Sequence, residues 1–209
     1  AQESRLSAFH MNETAFVSRA GLKLEHALTT FDFDVAGLTC ADLGCNVGGF
    51  SDCLLQRGAT HVHAVDTGYG TFAWKLRSDT RVTTLERTNA LHAEPPAQAD
   101  LVVVDLGWTP QKLALPAAKK WTNGGHIITL IKPHYELTKE EKLSENVGEG
   151  LTEEAIARVI ARVKTMCQEL SLELLGETLS PIRGKKSSKK GSGNSEYLLL
   201  LKTPSQSTS

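Results

Sequence analysis

The chain has no apolar run near the ~18–20 residues a membrane-crossing helix needs, so that architecture is excluded. Its first residues, Ala1-Gln2-Glu3-Ser4-Arg5, lack the apolar core of a secretory signal, and a cytoplasmic protein is expected. Cysteine is scarce. Cys40, Cys45, Cys53 and Cys167 form no C-x-x-C pair, and no two histidines have zinc-finger spacing. Disulfide scaffolds and zinc fingers drop out, leaving scattered reduced thiols. His61 and His63 alternate in one apolar run, but a third ligand has no source, so no metal is expected. An excess of one charge is also missing: 23 Lys and Arg face 24 Asp and Glu, and bulk electrostatics announce no nucleic-acid partner. There is no internal repeat.

What is present is enough for one sizeable core in 209 residues. Leu38 to Leu43, His61 to Asp66, Arg81 to Glu86, Leu101 to Asp105 and Ile127 to Ile131 are short apolar runs. Near-continuous Val/Ile/Leu runs suit strands covered on both faces, as in a parallel sheet. Helices are expected between them over Gly49–Arg57 and over Gln111–Trp121, the latter kinked or shortened by Pro116. A further helix over Thr152–Leu170 carries Ile156, Val159, Ile160, Val163, Cys167 and Leu170 at helical spacing. The runs Leu172–Leu179 and Tyr197–Leu201 are joined by a loop too short for a crossover helix, so they pair antiparallel. Before the sheet, Ser18 should cap a helix that points Leu24, Ala27 and Leu28 to one side and lies next to the first strand. The expectation is an α/β fold: a seven-stranded, mainly parallel sheet with an antiparallel C-terminal hairpin strand and helices on both faces, an arrangement similar to that of Rossmann-like methyltransferases. Residues 1–17 read as a flexible extension, 18–202 as the domain and 203–209 as a disordered tail.

Glycines cluster where the first run turns into a helix, in Asp42-Leu43-Gly44-Cys45-Asn46-Val47-Gly48-Gly49-Phe50. A dinucleotide site would show G-x-G-x-x-G, whereas the spacing here is G-x-x-x-G-G. Backbone free of side chains and a helix start presenting N–H groups suit S-adenosylmethionine and its carboxylate. Asp66 ends the second run, where a carboxylate can accept from both ribose hydroxyls of an adenosyl group. Asp42 and Asp105 end two more runs, and three such acids form a cofactor shelf better than three turns. Asn89 reads equally well as an adenine contact or a loop residue. Lys132 and Glu196 terminate buried runs, a pattern that marks either emergence into solvent or catalysis.

Together with Ser18-Arg19-Ala20-Gly21-Leu22-Lys23-Leu24, Ala64 to Gly70, Ala73-Trp74-Lys75-Leu76-Arg77, Glu86-Arg87-Thr88-Asn89, Ile131-Lys132-Pro133, Ser180 to Gly184 and Asn194-Ser195-Glu196-Tyr197, these motifs carry a resemblance. The chain resembles the FtsJ-like ribose 2′-O-methyltransferases, most closely their hemolysin TlyA-type branch, over about Val17 to Lys202. The resemblance implies a catalytic Lys-Asp-Lys-Glu tetrad at Lys23, Asp105, Lys132 and Glu196. It implies cofactor contacts at Gly48, Phe50, Asp66, Asn89 and Asp105, with Asp42, Gly44 and Gly49 in the same turn. It also implies an RNA partner, ribosomal RNA or a ribosomal subunit, and no membrane.

Candidate RNA contacts are Arg19 and the basic stretch of Arg183, Lys185, Lys186, Lys189 and Lys190, which meets no acid until Glu196. Trp108 is open between stacking on a base and packing on the next helix. It lies in Leu106-Gly107-Trp108-Thr109-Pro110, where the branch more often has a Ser-Phe segment. The 17 or so residues before Ser18 are too few for the S4-like domain that the branch usually carries. The rival readings are a different methyl acceptor and a non-catalytic binder of adenosylmethionine or RNA. A membrane-active toxin has no suitable apolar segment.

Overall fold

In the computed structural model, which describes residues 15–144, 150–184 and 193–205, every apolar run named above becomes a strand. In chain order the elements are α1 (Ala20–Thr30), β1 (Thr39–Leu43), α2 (Gly49–Gln56), β2 (His61–Val65), α3 (Trp74–Arg77) and β3 (Val82–Leu85). They continue as β4 (Leu101–Val104), α4 (Gln111–Lys120), β5 (His126–Ile131), α5 (Pro133–Glu136), α6 (Lys139–Ser144), α7 (Glu153–Glu169), β6 (Glu173–Leu179) and β7 (Tyr197–Lys202). The seven strands form one sheet in the order β3-β2-β1-β4-β5-β7-β6. The first five are mutually parallel, and β7 runs antiparallel to both β5 and β6. The last-made strand therefore slips between two earlier ones and leaves β6 at the edge.

Period-two alternation divides the core into two layers. Cys40, Val62, Ala64, Leu101, Val103, Ile128, Leu130, Leu198 and Leu200 point to one face, where they pack with Leu24 and Leu28 of α1 and Leu54 of α2. Ala41, Val65, Val102, Val104, Ile127, Ile131, Leu199 and Leu201 point to the other, against Leu115 of α4 and Ile160 and Val163 of α7. Burial on both faces explains why these strands read as unbroken apolar runs.

Three local expectations are corrected. Ser18 does not cap α1 through its side chain: Arg19 holds the N-cap position without a side-chain bond, and the Ser18 carbonyl accepts from Gly21. That helix packs chiefly on α2 rather than beside β1, and it reaches β6 through His26 and Thr178, 3.0 Å apart. Pro116 does not shorten α4, which continues through it. Pro116 faces solvent while Ala114, Leu115, Ala117 and Ala118 are buried, so the carbonyl it leaves without a donor is on the wet side. The expected α7 forms, and the Thr152 hydroxyl caps it by accepting from Ala155 N at 3.1 Å. At the ends of the described chain, Val17 N donates to Asp52 and Thr203 bonds the Gly125 carbonyl. Most of the expected N-terminal extension, and residues 206–209 of the expected tail, lie outside the described residues.

Candidate active site

Strand register brings the four predicted catalytic residues together. Asp105 leaves β4 and Lys132 leaves β5, two neighbouring parallel strands, at the same edge of the sheet. Ile131 pairs with Tyr197 across the antiparallel β5–β7 ladder, so the next step in register sets Lys132 beside Glu196. Lys23 reaches in from α1. The result is two ion pairs: Lys132 to Asp105, and Lys23 to Glu196 at 2.5 Å. They differ in depth. The Lys23 and Glu196 side chains are 8% and 3% exposed, whereas those of Lys132 and Asp105 are 16% and 18% exposed. The outer pair is the one a bulky substrate can touch.

Lys132 is pulled in opposite directions. Burial favours its neutral form, but the charge and hydrogen bond of Asp105, with the nearby charge of Glu196, outweigh burial and hold its pKa above the ordinary lysine value. It is therefore an ammonium at neutral pH. Tyr135 lies beside it, its ring centroid 5.8 Å from Nζ, and packs in turn on Trp108 at 4.9 Å. Trp108 is 84% exposed, so it does not pack against the following helix as one reading expected. Its backbone has φ +59°, an uncommon conformation for a bulky residue. A cleft of about 110 Å³ opens between Pro133, Leu151, Ile156, Arg183, Asn194 and Ser195, of which Pro133 and Ser195 are chain neighbours of Lys132 and Glu196.

The glycine turn lies at the same sheet edge, after β1. Gly44 and Gly48 have φ +92° and +105°, which only glycine adopts without strain. A Cβ on Gly44 would stand 2.5 Å from the Asp105 carbonyl oxygen, so the loops after β1 and β4 touch here. Asp66 is half-buried, and its two oxygens accept from Asn46 N at 2.9 Å and Gly68 N at 2.7 Å. Each oxygen keeps a second lone pair for a hydroxyl donor. Asn89 is exposed after β3, its side-chain oxygen bonded to Leu91 N at 3.0 Å, so its NH₂ is the end that can meet a ligand.

Three of the expected cofactor residues have surroundings that limit what each can offer a ligand. Asp42 lies within β1, has no exposed surface, and Oδ2 accepts from Ser51 N at 2.9 Å and Ser51 Oγ at 2.7 Å. It braces the first turn of α2 from behind. Burial drives its pKa up to about 7, partly offset by Ser51 and reinforced by Asp105 and Asp66, and Oδ1 has no partner among the described residues. Gly49 serves helix packing, since a Cβ there would sit 2.3 Å from Ser18 Oγ and 2.8 Å from Gly21 N. The Phe50 side chain is 3% exposed in the core, so only its backbone N–H can face a ligand.

Among the RNA candidates, Arg19 is exposed and donates to the Arg183 carbonyl at 3.4 Å, which links the start of α1 to the start of the basic stretch. Lys185, Lys186, Lys189 and Lys190 lie outside the described residues. Sequence reading missed Tyr135, Gln111 and Glu136. Only Pro133, at the first position of α5, hints at the turn that carries Tyr135 and Glu136.

A model of the FtsJ-like methyltransferase family matches residues 16–202. The 16S/23S rRNA (cytidine-2′-O)-methyltransferase TlyA of Mycobacterium tuberculosis is 41% identical over 199 residues, covering 92% of this chain and 70% of its own. A solved structure from Streptococcus thermophilus, carrying a hemolysin designation, superposes with a TM-score of 0.81 at 34% identity, over 92% of this chain and 70% of that one. The N-methyltransferase NodS from Bradyrhizobium japonicum WM9, in complex with S-adenosyl-L-homocysteine, shares the fold: TM-score 0.56, 14% identity, and 88% of each chain.

Proposed function

The chain belongs to the FtsJ-like methyltransferases, and from that premise we propose that it moves a methyl group from S-adenosylmethionine to a ribose 2′-hydroxyl of ribosomal RNA. The single observation that carries the acceptor half of this reading is the Lys132–Asp105 pair, a protonated lysine at the accessible edge of a buried charge cluster. The name of the M. tuberculosis relative supplies the substrate class.

The residues present fit the cofactor. Asp66 retains acceptor capacity for the ribose diol, and the first-turn amides of Gly49 and Phe50 have no intrahelical acceptor and suit a carboxylate. Gly44 and Gly48 keep side chains out of the turn between them. When bound, adenosylmethionine supplies the methyl group and a thioether leaving group.

The chain's own part is alignment and charge. Methyl transfer to oxygen is an in-line displacement, so holding the hydroxyl at the correct angle carries much of the rate. Lys132 donates to the 2′-oxygen and stabilises the negative charge that develops as its proton leaves to solvent. It does not act as the base, because Asp105 and Glu196 keep it protonated. Lys23 neutralises Glu196, so the pocket does not become an excess of carboxylate. Trp108 and Tyr135 offer a stacking face beside the acceptor, and Arg19 and Arg183 flank it with positive charge for phosphates.

The test is incubation with methyl-labelled adenosylmethionine and total RNA, free and as ribosomal subunits, followed by mapping of ribose methylation. Label at a ribose 2′ position is expected. RNA that stays unlabelled in every form would overturn the acceptor assignment.

A further inference from the structure

One residue, Gln111, is bonded to the protein on both sides of Lys132, by its side chain before it and by its backbone beyond it. It opens α4 and is buried, 3% exposed. Its amide nitrogen donates to the Leu130 carbonyl at 3.1 Å, and its amide oxygen accepts from the Thr129 hydroxyl at 2.8 Å. Both partners belong to the last three residues of β5, immediately before Lys132. Its backbone N–H donates to Glu136 Oε1 at 2.9 Å, at the end of α5 and four residues beyond Lys132. Pro110 gives α4 no side-chain cap, so Glu136 fills that role from another element. Glu136 is itself held, because its carbonyl accepts from Arg162 of α7 at 2.7 Å.

Those bonds join two segments that carry the acceptor side of the site. Residues 105–110 hold Asp105 and Trp108, and residues 132–136 hold Lys132 and Tyr135. The segments meet at Asp105 to Lys132, again at Trp108 to Tyr135, and finally at Gln111 to Glu136. A buried amide satisfied at both ends fixes geometry that an apolar residue of the same volume would leave loose.

The geometry points to Gln111 and Glu136 as positioning residues that keep the two segments in register and so keep Asp105 on Lys132. This rests on the role proposed above for Lys132. The charged and titratable groups around Lys132 are Asp105 just after β4, Glu196 just before β7 with Lys23 behind it, and Tyr135 and His134 from α5. If either arm is cut, Asp105 withdraws and the strongest of these attractions weakens.

Three variants test it. Gln111→Met keeps the volume and cuts the β5 arm, Glu136→Ala cuts the α5 arm, and Glu136→Gln removes the charge but keeps the acceptor. Lys132 is followed without RNA, by pH titration of ¹³C-labelled lysine in NMR, and kcat and KM are measured for RNA methylation. Melting curves check folding, and Thr129→Val, which removes one hydroxyl, carries the β5 test if Gln111→Met does not fold. Gln111→Met and Glu136→Ala should each lower the Lys132 midpoint by roughly half a pH unit or more. Their kcat should drop about tenfold with KM for the methyl donor unchanged, and Glu136→Gln should restore both. Folded Gln111→Met and Glu136→Ala proteins with wild-type midpoint and kcat would overturn the positioning role. A wild-type protein that leaves RNA unmethylated while the midpoints still move would sink the ribose acceptor and leave the positioning intact.

Discussion

Lys132 carries a positive charge in a partly buried place, and its neighbours decide that it can. Because the Asp105 and Glu196 charges win over burial, Lys132→Ala removes a preorganised cation and not a base. Turnover should fall by at least about a hundred- to a thousandfold, with adenosylmethionine affinity by calorimetry unchanged. Trp108 presents a different trade. Its left-handed backbone costs roughly 1–2 kcal/mol, and Trp108→Gly relieves that while deleting the exposed ring. The melting temperature should hold or rise, and RNA turnover should fall by about tenfold or more, as loss of ~1–3 kcal/mol of base stacking implies. Asp42 is a third case. Its folded pKa of about 7 lies above the ordinary 3.8, so the folded state binds this proton more tightly than the unfolded state. Its contribution to stability is then greatest below pH ~4 and is lost as pH rises to ~7, by up to ~1.4 kcal/mol per unit. Urea midpoints of Asp42→Asn should vary less over that window than those of the wild type.

Elements differ in how plainly the sequence announces them, and the reasons are physical. The strands were legible because burial on both faces leaves almost no polar residue to break the run, and α7 because its apolar stripe repeats at helical spacing. The short helices α3, α5 and α6 have no room for a stripe, and they form because neighbours hold them. At the site, Asp66 and Asp105 were readable as strand-end acids, while the bonds of Asp42 were not, because one step of alternation inside β1 turns it onto α2. The pairing of Lys23 with Glu196, and the bonds of Gln111, are tertiary contacts with no local signature. The tetrad entered through family resemblance alone. Where α1 crosses α2, the two backbones approach closely enough to need glycine, and Gly49→Ala should cost about 1–3 kcal/mol by overpacking against Ser18 and Gly21. Since α1 also carries Lys23, the variant should lose methylation at temperatures where circular dichroism shows it folded.

For the whole molecule, net charge is −1, so any attraction to RNA must come from where the cations sit. Replacing Lys185, Lys186, Lys189 and Lys190 together by alanine should weaken RNA binding mainly at low salt. The slope of log affinity against log salt should flatten by about 0.7 for each phosphate no longer neutralised, measured by filter binding. An unchanged slope would remove that stretch from the interface.

The bond between Lys23 and Glu196 spans 173 positions of sequence, and β7 is threaded between strands made before it. On the ribosome, where chains emerge amino end first, the charge cluster stays incomplete until Glu196 and β7 have been made. A nascent or C-terminally truncated chain can pair its parallel strands and still lack Glu196, leaving Lys23 without its counter-charge. Closure of the cluster thus waits for a strand made after all the others of the sheet, and long-range closure of this kind favours slow final folding.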